Sequence, residues 1–236
     1  MGSLPPRARL FAALVTSQVL CLAAVATPAV SGAMTSTATS GTQPRAAGPV
    51  HRSTVQGTNG DDTIITKRRA QEVYGLAGND YIRLGSGDDV AYGEDGDDWL
   101  HGNDGRDVVY GGPGNDHPQG GRGNDRVYGG AGDDELDGDQ GNDKIFAGPG
   151  NDQVTGDEGD DVIYPGPGAD EIYGEEGNNT IIATNDGVRD DIFCNTIKVP
   201  TPPGTIIYIG EVDPLDVLRN CKVLVRPSKS RERAGT

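Results

Sequence analysis

The chain has 236 residues and a formal net charge of −16, with 37 glycines and only 5% aromatic residues. Such an acidic balance argues against a nucleic-acid-binding face, and so few large apolar side chains argue against a thick globular core. What is left is disorder or a fold whose carboxylates are neutralised by bound cations, and periodicity decides between them.

Residues 1–33 read as a secretory signal peptide. Arg7 and Arg9 give a positive start, Leu10 to Ala26 is apolar and uncharged, and small residues follow with cleavage expected after Ala26, Ala29 or Ala33. The apolar run is short for a membrane span, so the mature chain is expected to be secreted and extracellular, with no span. Removing the leader removes Cys21 and leaves Cys194 and Cys221. An even count in an exported chain predicts a disulfide between them. Residues 34–56, rich in Ser, Thr, Gly, Ala and Pro, read as a disordered linker.

From Gly57 the chain repeats every nine residues. The blocks run GTNGDDTII, TKRRAQEVY, GLAGNDYIR, LGSGDDVAY and so on to GEEGNNTII, fourteen in all, filling 57–182 without an insertion. The fourth position is Gly in thirteen blocks, the exception being Arg69. The sixth is Asp in twelve, with Gln71 and Asn179 the exceptions, and the eighth is Ile, Val or Leu in twelve, with Ala91 and Pro118 the exceptions. Each block is therefore a Gly-rich turn followed by a strand of about three residues whose eighth side chain points inward. No 3.6-residue apolar period is sustained in the mature chain, so essentially no helix is expected.

A second period sets the architecture. The ninth position is aromatic in alternate blocks: Tyr74, Tyr92, Tyr110, Tyr128, Phe146 and Tyr164. One coil must then hold two blocks, giving an all-β fold of two parallel sheets on an 18-residue repeat, one from odd blocks and one from even blocks.

The blocks resemble the RTX, or haemolysin-type, nonapeptide repeat family, with its pattern G-G-x-G-x-D-x-U-x. The resemblance implies a right-handed parallel β-roll with Ca²⁺ held in the turns. Calcium takes six to eight oxygen ligands and mixes carboxylates with carbonyls, which Gly-Asp turns stacked one coil apart can supply. The expected ligands on the odd edge are Asp62, Asp80, Asp98, Asp116, Asp134, Asp152 and Asp170; on the even edge they are Asp89, Asp107, Asp125, Asp143 and Asp161. One ion in each gap between rungs gives about ten Ca²⁺. Residues 57–182 carry 29 acidic and 8 basic residues, so about ten ions would bring the roll near neutrality.

The remaining features are local. Lys67, Arg68 and Arg69 read either as a cationic plug facing Asp89 or as a degenerate terminal repeat. Pro118 removes a ladder N–H at a core position, so its strand should be weak. The roll is expected over 57–193, the register slipping by two after 182 so that Asp190-Asp191-Ile192-Phe193 forms one more turn and strand, with Asp190 in the acid column. Residues 194–227 resemble the cysteine-bearing C-terminal caps of secreted actinobacterial members of the family, and 228–236 read as a disordered tail. No His-Glu-x-x-His, Gly-x-Ser-x-Gly or phosphate-loop motif occurs, so a non-catalytic, monomeric calcium-binding protein is expected. The alternative is an adhesion or glycan-binding module using the outward ladder Tyr92, Tyr110, Tyr128, Phe146 and Tyr164.

Overall fold

A computed structural model describes residues 53–67, 69–195 and 203–226. The segment read as a signal peptide, most of that read as a linker, Arg68, residues 196–202 of the segment read as a cap, and the residues from 227 on lie outside this description. Among the described residues there is no helix.

Even blocks build a ten-stranded sheet: β1 (Ser53–Gln56), β3 (Gln71–Ala77), β5 (Val90–Asp95), β7 (Val108–Pro113), β9 (Arg126–Ala131), β11 (Lys144–Phe146), β13 (Val162–Tyr164), β15 (Thr180–Ala183), β17 (Gly204–Ile209) and β19 (Cys221–Arg226). Odd blocks build a nine-stranded one: β2 (Thr63–Ile65), β4 (Tyr81–Arg83), β6 (Trp99–Asp104), β8 (His117–Arg122), β10 (Glu135–Gln140), β12 (Gln153–Thr155), β14 (Glu171–Tyr173), β16 (Asp191–Phe193) and β18 (Val217–Arg219). Every pairing is parallel, and through the regular repeats partners are 18 residues apart, as in Ile82↔Leu100 and Val109↔Val127. The chain is thus a two-sheet β-solenoid of about nine turns.

The eighth positions do what their chemistry demands. Ile82, Leu100, Val109, Val127, Ile145, Val154, Ile163 and Ile172 are fully buried between the sheets. Each brings apolar area out of water, about 1.5–3 kcal/mol per side chain. The fourth-position glycine makes the turn possible. Gly123 has φ +145°, and a Cβ there would lie 1.5 Å from the Gly105 carbonyl oxygen one coil below. Any side chain at this point forces the coils apart.

Pro118 is buried and its strand β8 forms, six residues long. Its effect is confined to one side. Leu100↔Pro118 pairs normally on the β6 side, whereas pairing with β10 begins only at Asp137↔Gln119. In a parallel ladder the N–H of residue 118 would face β10, and proline has none to give.

The aromatic ladder is closed on itself. Consecutive rings from Tyr74 to Tyr164 stack nearly parallel at 4.5–4.9 Å between centroids. Ring faces are covered by neighbouring rings, and stacking of this kind is worth about 0.5–1.5 kcal/mol per pair.

The solenoid extends beyond the nonapeptides at both ends. β1 pairs with β3 inside the segment read as linker. After residue 182 the two-residue slip is absorbed in the turn, and Ile192 still pairs with Ile172. The region read as a cap then supplies β17, β18 and β19 to the same two sheets. The Cys194–Cys221 disulfide is present, with Cα atoms 5.2 Å apart. It ties the end of β16 to the start of β19 across a 27-residue separation, a closure worth about 3–4 kcal/mol in the chain-entropy view.

Candidate metal centre

Each turn delivers its sixth-position Asp to the edge of the roll by the same local geometry. The Gly-rich turn reverses the chain, and Asp sits one residue before the strand, at most 3% exposed from Asp80 to Asp170 on both edges. One carboxylate oxygen is committed to the backbone. Asp80 Oδ1 accepts the N–H of Asp62, Asp98 Oδ1 that of Asp80, and Asp116 Oδ1 that of Asp98, at 2.7–2.8 Å. On the other edge Asp107, Asp125 and Asp143 accept from Asp89, Asp107 and Asp125 at 2.7 Å each. The expected ligands therefore do form two continuous ladders, one along each edge.

The second oxygen is left over. Oδ2 of Asp80, Asp98, Asp107, Asp116, Asp125, Asp134, Asp143, Asp152, Asp161 and Asp170 is buried and meets no hydrogen-bond donor. It lies among carbonyls: a Cβ built on Gly93 would stand 2.2 Å from Asp98 Oδ2 and 2.7 Å from the Gly111 carbonyl oxygen. A buried anion surrounded by oxygens calls for a cation or a proton. The donor set is carboxylate and carbonyl with no nitrogen or sulfur, the preference of a hard cation such as Ca²⁺.

Asn179 supports this reading from the opposite direction. It takes the Asp position on the even edge, is 1% exposed, and its Oδ1 accepts the N–H of Asp161 at 2.9 Å. Its Nδ2 donates to the carbonyls of Gly174 and Cys194, at 2.5 and 3.4 Å. Where the protein supplies an amide, a donor of its own satisfies the carbonyls; where it supplies Asp, something else must.

The structure adds rungs that the repeat count does not include. Asp190 Oδ1 accepts the N–H of Asp170, and Asp216 Oδ1 that of Asp190, both at 3.0 Å, so the odd ladder runs from Asp62 to Asp216. Its ends are closed by protein donors. Asp62 Oδ2 accepts from the N–H and Oγ1 of Thr58 at 2.5 and 2.9 Å, and Asp216 Oδ2 accepts from the Tyr208 hydroxyl at 2.5 Å. The D-x-L order of Asp216-Val217-Leu218 is the sequence signal for this rung.

A second ladder runs beside the first, built by the fifth position. Asn79, Asp97, Asn115, Asp133 and Asn151 each present Oδ1 to a backbone N–H of the following coil, opposite in sense to the sixth position. Its signal is present too, since Asp or Asn fills that column in eleven of fourteen blocks.

Burial dominates the electrostatics. Loss of hydration pushes Asp107 and Asp143 up to about 8, Asp116, Asp134, Asp161 and Asp170 to about 7, and Asp98, Asp125 and Asp152 to about 6. The accepted backbone N–H pulls the other way and does not compensate.

Lys67 and Arg69 are exposed, and Arg68 lies outside the described residues. One acidic group stands apart from the ladders: carboxylate oxygens of Asp137, Asp139 and Asp157 lie within 4.8 Å of one another. His101 Nδ1 meets Gln119 and His117 Nε2 meets Glu135, so the histidines do not converge on one point.

Interior rungs should matter more than closed ends. Asp125→Ala removes an oxygen adjoining two gaps, whereas Asp62 is already saturated by Thr58. Asp125→Ala is expected to raise the Ca²⁺ midpoint on the order of tenfold, about 1.4 kcal/mol, and Asp62→Ala to raise it far less. Parallel calcium titrations of the two variants measure the difference.

The RTX calcium-binding nonapeptide repeat family matches at residues 56–91, 68–100, 85–118, 119–145, 137–172 and 146–181. No curated protein matches the chain.

Proposed function

Because this chain belongs to the RTX calcium-binding nonapeptide repeat family, we propose that it is a secreted, non-catalytic calcium-binding protein whose roll folds as Ca²⁺ enters the two edges. The observation that carries this is the row of buried, donorless Oδ2 atoms. About ten ions are needed if each takes one cation. Export is supported by Arg7, Arg9 and the apolar run that follows, and by the Cys194–Cys221 disulfide, a bond of oxidising compartments. The absence of recognisable catalytic motifs from the sequence supports a structural role.

Calorimetric titration of the mature protein with Ca²⁺ and with Mg²⁺ tests this reading. Calcium is expected to bind cooperatively at about ten equivalents, and magnesium poorly, because it demands a tight octahedron and parts with water reluctantly. Equal responses to the two ions, or one or two equivalents of calcium, would contradict it.

A further inference from the structure

The last coil of the solenoid, residues 210–226, differs in character from the coils behind it. Among the described residues ten large apolar side chains are exposed, and seven of them lie between Val188 and Val225. Five belong to this last coil: Val212, Leu215, Val223, Leu224 and Val225, each more than a third exposed. Its charge differs too. Residues 57–182 carry 29 acidic and 8 basic side chains, whereas residues 210–226 carry three of each.

Most of the exposed apolar surface belongs to β19. It is the outermost strand of the ten-stranded sheet, paired with β17 and, among the described residues, with nothing beyond it. Val223 and Val225 lie opposite Ile206 and Tyr208, which are fully buried, yet are themselves 42% and 52% exposed. The core face of the last coil is therefore open. So is its hydrogen-bonding edge. The Gly210 N–H donates to the Arg226 carbonyl at 2.8 Å. Arg226, and by alternation Leu224 and Lys222, thus turn their backbone groups toward β17, while Cys221, Val223 and Val225 turn theirs outward. The opposite end gives the contrast. Its edge strand β1 has four residues, of which Ser53, Thr54 and Gln56 are polar. Edge strands are ordinarily blunted in this way, and the terminal coils of solenoids carry polar outer faces.

We propose that β19 is a self-association surface, through which two copies join end to end in a two-fold dimer. The ten residues after β19, PSKSRERAGT, hold no Ile, Leu, Val, Met or aromatic side chain to cover it. A copy of the same strand supplies what the edge lacks. A two-fold axis at Val223 pairs the strands antiparallel, with Cys221 opposite Val225 in both halves, so that the outward backbone groups of all three residues meet one another. Lys222 then faces Leu224 rather than a like charge, and the open core faces of the two copies close on each other. With equal numbers of acidic and basic side chains, the end coil sets up no net repulsion against its own copy. Head-to-tail joining would need the short polar β1 edge and would not close. The Cys194–Cys221 disulfide pins the first residue of β19, so the strand is ordered before it meets its mate. The surface exists only in the folded roll, and to that extent the proposal rests on the calcium reading.

Sedimentation equilibrium of the mature protein in saturating Ca²⁺ tests it, with folding followed in parallel by circular dichroism. A mass twice that of one chain is expected, falling toward the single-chain mass on dilution and growing no further at high concentration. Val223→Pro removes an N–H that faces away from the roll and puts a ring in its place. Leu224→Lys changes an exposed side chain and sets a second ammonium against Lys222. Each should raise the dimer Kd by about tenfold or more and leave the calcium-induced dichroism intact, and Thr54→Lys on β1 should leave the mass unchanged. A monomer at every concentration, with calcium-induced β-structure present, overturns the proposal. So does a dimer that neither β19 variant weakens, or a mass that climbs past two chains. Absence of the calcium-induced change in dichroism would instead count against the folding reading.

Discussion

In excess chelator at pH 7.5 the roll is expected to lose its β-structure, and to regain it cooperatively when Ca²⁺ is restored. The reason lies in the balance of burial against charge. Each coil of 18 residues buries one side chain from each sheet, such as Val127 and Leu136, worth about 1.5–3 kcal/mol apiece. Ordering each backbone residue costs about 1–2 kcal/mol. Backbone ladders and ring stacking offset part of that cost, but the same folding stacks buried Asp side chains one coil apart. Without a counter-ion those carboxylates oppose the coils that hold them. Binding to the folded state alone then couples metal to folding. Far-UV circular dichroism in chelator measures the effect, and full β-structure there would show that the sheets stand without the ion.

The second large effect is a reversal of pH dependence. The ladder carboxyls are raised in the folded chain, from an ordinary value of 3.8 to about 6 for Asp98, about 7 for Asp116 and about 8 for Asp107 and Asp143, by burial first of all. A group whose folded pKa lies above its unfolded one contributes stability below the unfolded value and loses that contribution as pH rises through the folded one. In chelator, β-structure should therefore be favoured by acid and lost between about pH 6 and 8. In calcium the roll persists across that window, and protons compete with the ion. The Ca²⁺ midpoint is expected to rise as pH falls from 8 to 6, by about tenfold per unit for each proton displaced per ion. Calcium titrations at several pH values, paired with a chelator series, measure both. A midpoint independent of pH would mean that the buried Oδ2 atoms are not where calcium binds.

Much of this could be read in the sequence because the repeat is rigid in register. Apolar residues such as Ile82 and Val127, the aromatics 18 apart and the Asp column are enough to define two sheets and two edges. What could not be read lies where the nine-residue count fails or where the partner is a side chain. Asp190 could be placed in the acid column once a slip of two was allowed, and its pairing agrees; Asp216 joins the odd ladder across a longer insertion, and only the pairing of Leu218 with Ile192 shows that it keeps step. Thr58 closing Asp62, Tyr208 closing Asp216 and the Asn179 amide bridging two carbonyls are choices of hydrogen-bond donor, invisible to a column of Asp. Pro118 shows the same limit from the other side. One missing N–H costs only the two pairs that share it, His117 with Glu135 and Pro118 with Leu136, because β8 pairs with β10 again from Gln119 and with β6 along its length.

The proposed function stands on calcium sitting between stacked turns, held by the Asp oxygen that the backbone leaves free. Crystals grown in Ca²⁺ and measured for calcium anomalous scattering test it most directly. The predicted result is two rows of peaks, one along each edge. Each peak should lie beside the Oδ2 atoms of the interior rungs, with successive peaks one coil apart, about 4.8 Å, and none at Asn179. A map with no peaks in the turns, or with its only peak at Asp137, Asp139 and Asp157, would contradict the account.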